Sequence, residues 1–274
     1  PLYAVSHPTK ESIMPLIHTL LVYTHILFGA VALVLFWLPV AAKKGSRLHR
    51  LVGRYYAWAM YVVACSALLS CLLVLIDPVG IRRPGLTLDA ETAANVARGA
   101  RMGGLFLLML AVLTFASVRH GLLALRERQQ PGVLRSTAHR GLLVALGVLG
   151  LMVTGIGLNF ANVLLQIFGG ISVVVSISML RETRPQRLTA TQRTIAHLGG
   201  LIGSGIGAHT AFFAFGGARF FADLLPGQWQ TLAWVIAPAI GTVAIIRLNR
   251  RYRRAEQTAP VVGQHLGRSR PSSP

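Results

Sequence analysis

Histidines are the side chains of this 274-residue sequence best suited to chemistry, and seven of the nine fall inside, or within a few residues of, long apolar stretches. His25 and His209 sit well inside such stretches and His18 near an edge, while His49, His120, His139 and His197 stand at stretch ends. Imidazole ligates metals and haem iron, and it titrates near neutral pH, so it serves both as a ligand and as a proton carrier. An ionisable group at membrane depth is costly and marks a functional site by default.

Three chemistries fit this layout. In the leading one, histidines on different helices are axial ligands of b-type haem, whose porphyrin suits an apolar bundle. His25 and His209 form the expected outer pair, and His49 and His139 the inner pair, with His120 and His197 as alternates. Electrons would then pass across or within the membrane, with a quinone or a redox protein as partner. Because His197 and His209 are twelve residues apart, about 120° around a helix, the two sites need different partner helices. In the second, His18, His25 and His209 hold zinc with water in the open fourth position of an intramembrane hydrolase, and Asp77 or Asp223 supplies a carboxylate. In the third, the histidines hydrogen-bond neighbouring helices in a cofactor-free transporter or scaffold.

The elements that carry these residues follow from composition. Apolar residues make up 53% and charged residues 13%, about half the charged share of a soluble globule, which places the chain among membrane proteins. Its net charge of +19 does not indicate nucleic acid, because the basic residues lie between apolar runs, where orientation signals belong. Membrane lipid is the expected partner. A hydrocarbon layer of about 30 Å needs about 20 helical residues, and seven stretches qualify: 16–41, 52–76, 102–119, 141–158, 163–180, 195–218 and 229–247. The first is longer than a signal-peptide core.

The expected fold is all-α, a polytopic membrane bundle of about seven transmembrane helices with the N-terminus outside. That orientation puts 21 of the 27 Lys and Arg residues on the cytoplasmic side. It also puts His18, His25 and His209 in the outer half and the other four histidines at the inner rim. Residues 1–15 form an extramembrane segment, 16–247 the transmembrane domain, and 248–274 a basic tail expected to be disordered. Within the outer loop 77–101, Leu88 to Arg98 reads as an interfacial helix. Asn159 to Asn162 reads as the turn of a tight helical hairpin. Cys65 and Cys71, six residues apart, point to different helix faces and should not pair. Glycines recur at 147, 150, 155 and 157 and again at 199, 200, 203, 205 and 207, where backbones would approach closely. No nucleotide-binding loop, nucleophile elbow or cysteine-based metal motif is present.

The stretch His25-Ile-Leu-Phe-Gly29 with Ala30 and Ala32, followed by Lys44-Gly45 and Leu48-His49-Arg50-Leu-Val-Gly53-Arg54-Tyr55-Tyr56, resembles the opening of a family of bacterial predicted membrane proteins classed as a domain of unknown function. Ala138-His139-Arg140, Ile195-Ala196-His197, His209-Thr210-Ala211-Phe212, and Trp234 with Pro238 and Gly241 are similar to its later pattern. The resemblance covers roughly residues 18 to 247. It departs after His139-Arg140, where Gly141-Leu142-Leu143 replaces an expected Trp-Met run. It implies a multi-pass protein of the bacterial inner membrane, and its histidine-bearing helices are loosely similar to those of b561-type cytochromes.

Overall fold

Residues 10–216 and 232–258 are described by the computed structural model. They form eight α-helices: α1 (Lys10–Ala41), α2 (Arg47–Ile76), α3 (Pro78–Arg82), α4 (Ala90–Arg126), α5 (Thr137–Asn159), α6 (Val163–Glu182), α7 (Ala190–Ala211) and α8 (Leu232–Thr258). A 3₁₀ turn, Val133–Arg135, precedes α5, and a π-helical turn, Phe212–Gly216, continues α7. Among the described residues, α1, α2, α4, α5, α6 and α7 with its π turn are long and apolar enough to cross a membrane. The seventh expected stretch, 229–247, begins outside the described residues and continues as the first half of α8.

Apolar side chains fill the core and also cover the outside of the bundle. Leu20, Tyr23, Leu27 and Val34 on α1, Val144, Val148 and Leu151 on α5, and Val163, Ile167 and Val174 on α6 are all exposed. Ser66, Ser117, His120, His139, Ser172, Ser176, Ser204 and Thr210 are buried. Apolar side chains outside and satisfied polar groups inside are what hydrocarbon demands, since an unpaired polar group there costs several kcal/mol. The chain is therefore a multi-pass membrane protein.

Helix α4 is the hub: α2, α5 and α7 all pack against it, and α1 packs mainly on α2 with a smaller contact on α7. Helices α5 and α6 form a hairpin whose turn uses Ala161 at φ 49° and Asn162, whose side chain accepts from Leu165 N–H at 3.2 Å. That turn matches the hairpin read from the sequence. Ser176 on α6 donates to Leu143 O on α5 at 2.7 Å, binding the two helices together.

Three boundaries differ from expectation. The interfacial segment at Leu88 to Arg98 is the start of α4, because Asp89 caps Thr92 N–H at 2.9 Å and no proline interrupts the run. The outer loop instead contains the short α3, capped by Asp77 onto Gly80 N–H at 2.9 Å. The basic tail is helical as far as Thr258, since residues 248–258 are mostly good helix formers and contain neither Gly nor Pro. Residues 259–274, like 1–9, lie outside the described set, so the rest of the expected tail and most of the N-terminal segment fall there. The cysteines diverge as expected, Cys71 being buried and Cys65 exposed.

Helices α4 and α7 touch backbone to backbone. A Cβ on Gly200 would lie 2.5 Å from Ser117 O and 2.8 Å from Gly121 N, atoms that cannot yield. At Gly199 the same addition meets nothing within 4 Å. Gly200→Ala should destabilise the purified protein by about 1–3 kcal/mol, the usual range for overpacking, and Gly199→Ala should leave it nearly unchanged. Thermal unfolding of the two variants in one detergent checks this.

Candidate functional site

Four histidines are held in the same way. Nδ1 of His25 meets Val63 O at 3.0 Å, that of His49 meets Pro39 O at 3.0 Å, that of His197 meets Gly121 O at 3.0 Å, and that of His209 meets Gly205 O at 2.8 Å. A carbonyl only accepts, so each Nδ1 carries the proton and each Nε2 presents a lone pair. On His209 that lone pair accepts the Trp37 indole N–H at 3.2 Å. On His25, His49 and His197 it has no hydrogen bond among the described residues. A ring fixed through one nitrogen with the other left basic is the usual state of a metal-ligating histidine.

The groupings differ from those expected. His209 packs against Phe36 and Trp37, with ring centroids 5.2 and 5.6 Å away, because Gly205 lets the Phe36 ring lie on α7. His25 is eleven or twelve residues back along α1, roughly 17 Å at 1.5 Å per residue. One ion needs its nitrogens within about 4 Å of one another, given bonds near 2.1 Å. The outer pair His25 and His209 is therefore not assembled. His18 lies seven residues further back along α1 than His25, away from the Phe36 and Trp37 contact with His209, and the expected zinc triad of His18, His25 and His209 is not assembled either. Among the described residues no three His, Cys, Asp or Glu side chains group as a metal site. Of the carboxylates proposed to assist that triad, Asp77 caps α3 and Asp223 lies outside the described residues.

At the other rim the pairing is exchanged. His49, on the first turn of α2, and His197 on α7 each stand two helical turns before a contact between the same two helices, Tyr56 Oη with Ser204 Oγ at 2.8 Å. His139 instead meets His120, with Nε2 and Nδ1 3.0 Å apart and the rings tilted by 32°. His120 is engaged on both sides, since its Nε2 lies 2.7 Å from Glu182 Oε2. It is 1% exposed, His139 is 0% exposed, and the Glu182 side chain is 35% exposed. The array therefore runs from a half-open carboxylate into the protein core. It ends at His139 Nδ1, which is buried and has no partner among the described residues.

Local sequence builds this array. Gly132, at φ 91°, turns the chain between α4 and α5, and buried Glu127 accepts Gly132 N–H at 2.6 Å and Leu134 N–H at 3.2 Å. The turn brings α5 back along α4 so that His139 faces His120. Arg140 donates to Thr183 O at 2.9 Å and to Thr183 Oγ1 at 3.3 Å, fixing the end of α6 and with it Glu182. Arg140 thus serves the fold here. Glu182 is not among the residues expected from the sequence, because it lies two positions past the apolar stretch 163–180. The available signal was a single acidic residue two positions beyond an apolar run.

No protein family, curated protein or solved structure is matched by this chain. The site is therefore read from its own geometry.

Contact predicts coupling. In double-mutant cycles, His120→Ala and His139→Ala should be non-additive by about 0.5–3 kcal/mol, whereas His49→Ala and His139→Ala should add to within about 0.5 kcal/mol. Chemical unfolding of the single and double variants provides the measurement.

Proposed function

We propose that this chain is a redox protein of the bacterial inner membrane that binds b-type haem between His49 and His197. The observation that carries the reading is the matched state of the two rings: each Nδ1–H is tied to a backbone carbonyl, and each Nε2 keeps its lone pair. His49 is further fixed by its place in the first turn of α2, where its own N–H is taken by Ser46 Oγ at 3.1 Å. Pro39 O, which orients the ring, lies in the last turn of α1, where carbonyls lack helical partners. Gly53 stands one turn after His49 and meets nothing within 4 Å of where a Cβ would be, so a flat ring system has bare backbone to lie against.

Bound haem supplies one-electron chemistry, with a potential set by its axial ligands and surroundings. The protein's part is to hold two neutral imidazoles in the ligating tautomer at a membrane rim. The rim is basic: Arg47, Arg50 and Arg54 flank His49, and Arg193 precedes His197. Such residues attract anionic headgroups or propionate-like carboxylates. The concentration of Lys and Arg at this rim favours a cytoplasmic placement with the N-terminus outside. A quinone or a redox protein is the proposed partner. His25, whose Nε2 has no hydrogen bond among the described residues, lies deeper in the bundle and is the candidate ligand for a second haem.

Full-length protein produced with ample haem and purified from membranes should show a Soret band. His49→Ala and His197→Ala should each abolish it, and His120→Ala should retain it. A wild-type protein without the band, or a band that survives both ligand substitutions, would refute the assignment.

A further inference from the structure

The Glu182–His120–His139 array shares no side chain with the proposed haem site, and its chemistry is different. His49 and His197 offer lone pairs, whereas His120 has both nitrogens committed, one to a carboxylate and one to a second imidazole. We infer that these three side chains form a proton relay that joins the membrane face at Glu182 to the buried ring of His139.

The hydrogen bonding admits two states that differ by one proton. In the first, ionised Glu182 accepts from His120 Nε2–H, His120 Nδ1 accepts from His139 Nε2–H, and His139 Nδ1 is bare. A proton added at His139 Nδ1 lets Nε2 pass its own proton to His120 Nδ1. His120 Nε2 then passes its proton to Glu182, and both rings have changed tautomer. The carboxylic acid so formed sits on a side chain 35% exposed and releases the proton to the aqueous face. Run backwards, the same sequence delivers a proton from outside to the core. No bond other than N–H and O–H is made or broken, and neither ring has to become a buried imidazolium, whose desolvation would be costly.

The unpartnered Nδ1 of His139 is the second indication. A buried polar atom without a partner in a native protein calls for an explanation, and a relay needs one open valence at its inner end. A purely structural cluster would close it. The charged groups around the array are Arg119 on α4, which acts on His139, Arg140 on α5, committed to Thr183, and Glu182 itself on α6. From α7, the nearby titratable group is His197, anchored on the carbonyl of Gly121 next to His120.

Ring-¹⁵N-labelled histidine in the full-length protein, assigned with His120→Gln and His139→Gln, reads tautomers directly. As the pH is lowered until the array takes up one proton, His120 and His139 should exchange tautomers together at a single midpoint while both rings remain neutral. Glu182→Gln should abolish that joint transition, and Glu182→Asp should keep it. Tautomers that stay fixed in wild type, rings that change independently, or one ring becoming doubly protonated beside an unchanged neighbour would each overturn the relay. So would a joint transition that survives Glu182→Gln. The wild-type spectra decide the question even if the glutamine variant does not fold. The readout uses no haem, so failure of the haem assignment leaves it intact.

Discussion

The backbone contact between Gly121 on α4 and Gly200 on α7 is the constraint on which both halves of the site depend. In lipid, helices gain no hydrophobic advantage by meeting one another, so close packing of small residues has to supply the attraction. Here there is no space for a methyl group: a Cβ on Gly121 would lie 3.0 Å from His197 O, and one on Gly200 would lie 2.5 Å from Ser117 O. The close approach places His197 within reach of the Gly121 carbonyl, and this sets its tautomer. It also anchors α7 on the helix that carries His120. One contact between two residues without side chains thus governs both a proposed ligand and the neighbourhood of the imidazole pair.

A second constraint arises from the absence of water. Every polar side chain in the interior needs a partner within the protein, and the two groups of histidines meet that need differently. Four rings take single carbonyls, and three of them, His25, His49 and His197, leave a basic nitrogen without a hydrogen bond among the described residues, whereas His120 bridges a carboxylate and another ring. Hydrogen-bond partners, rather than residue type, divide these imidazoles into potential ligands and potential proton carriers. Arg140 and Glu127 belong to neither group. Their charges are spent on backbone carbonyls and amides that hold α5 and α6 at the angles the array requires.

The two arrangements lie near one rim, joined through α4. In the proposed reading an electron-transfer centre and a proton path then occupy adjacent parts of one bundle. Such proximity suits a protein whose redox partner exchanges protons along with electrons. The link is short in sequence, since His120 precedes the glycine whose carbonyl orients His197.

The sequence by itself determined the class of the fold and the list of side chains worth following. Length of apolar runs fixes membrane crossing because the hydrocarbon has a definite thickness, and the glycine-rich faces and the 159–162 turn are local features. The histidines were visible as polar residues in apolar surroundings. Only the tertiary structure decided which of them meet. Helical spacing reports the face and depth of a residue on its own helix, but not the tilt at which another helix crosses it. His209 therefore reaches α1 at Phe36 and Trp37 instead of at His25, and His139 finds His120 instead of His49. Glu182 entered the site for the same reason: a carboxylate at a helix end has no evident role in the chain until Arg140, held by a different helix, fixes that end beside a buried ring.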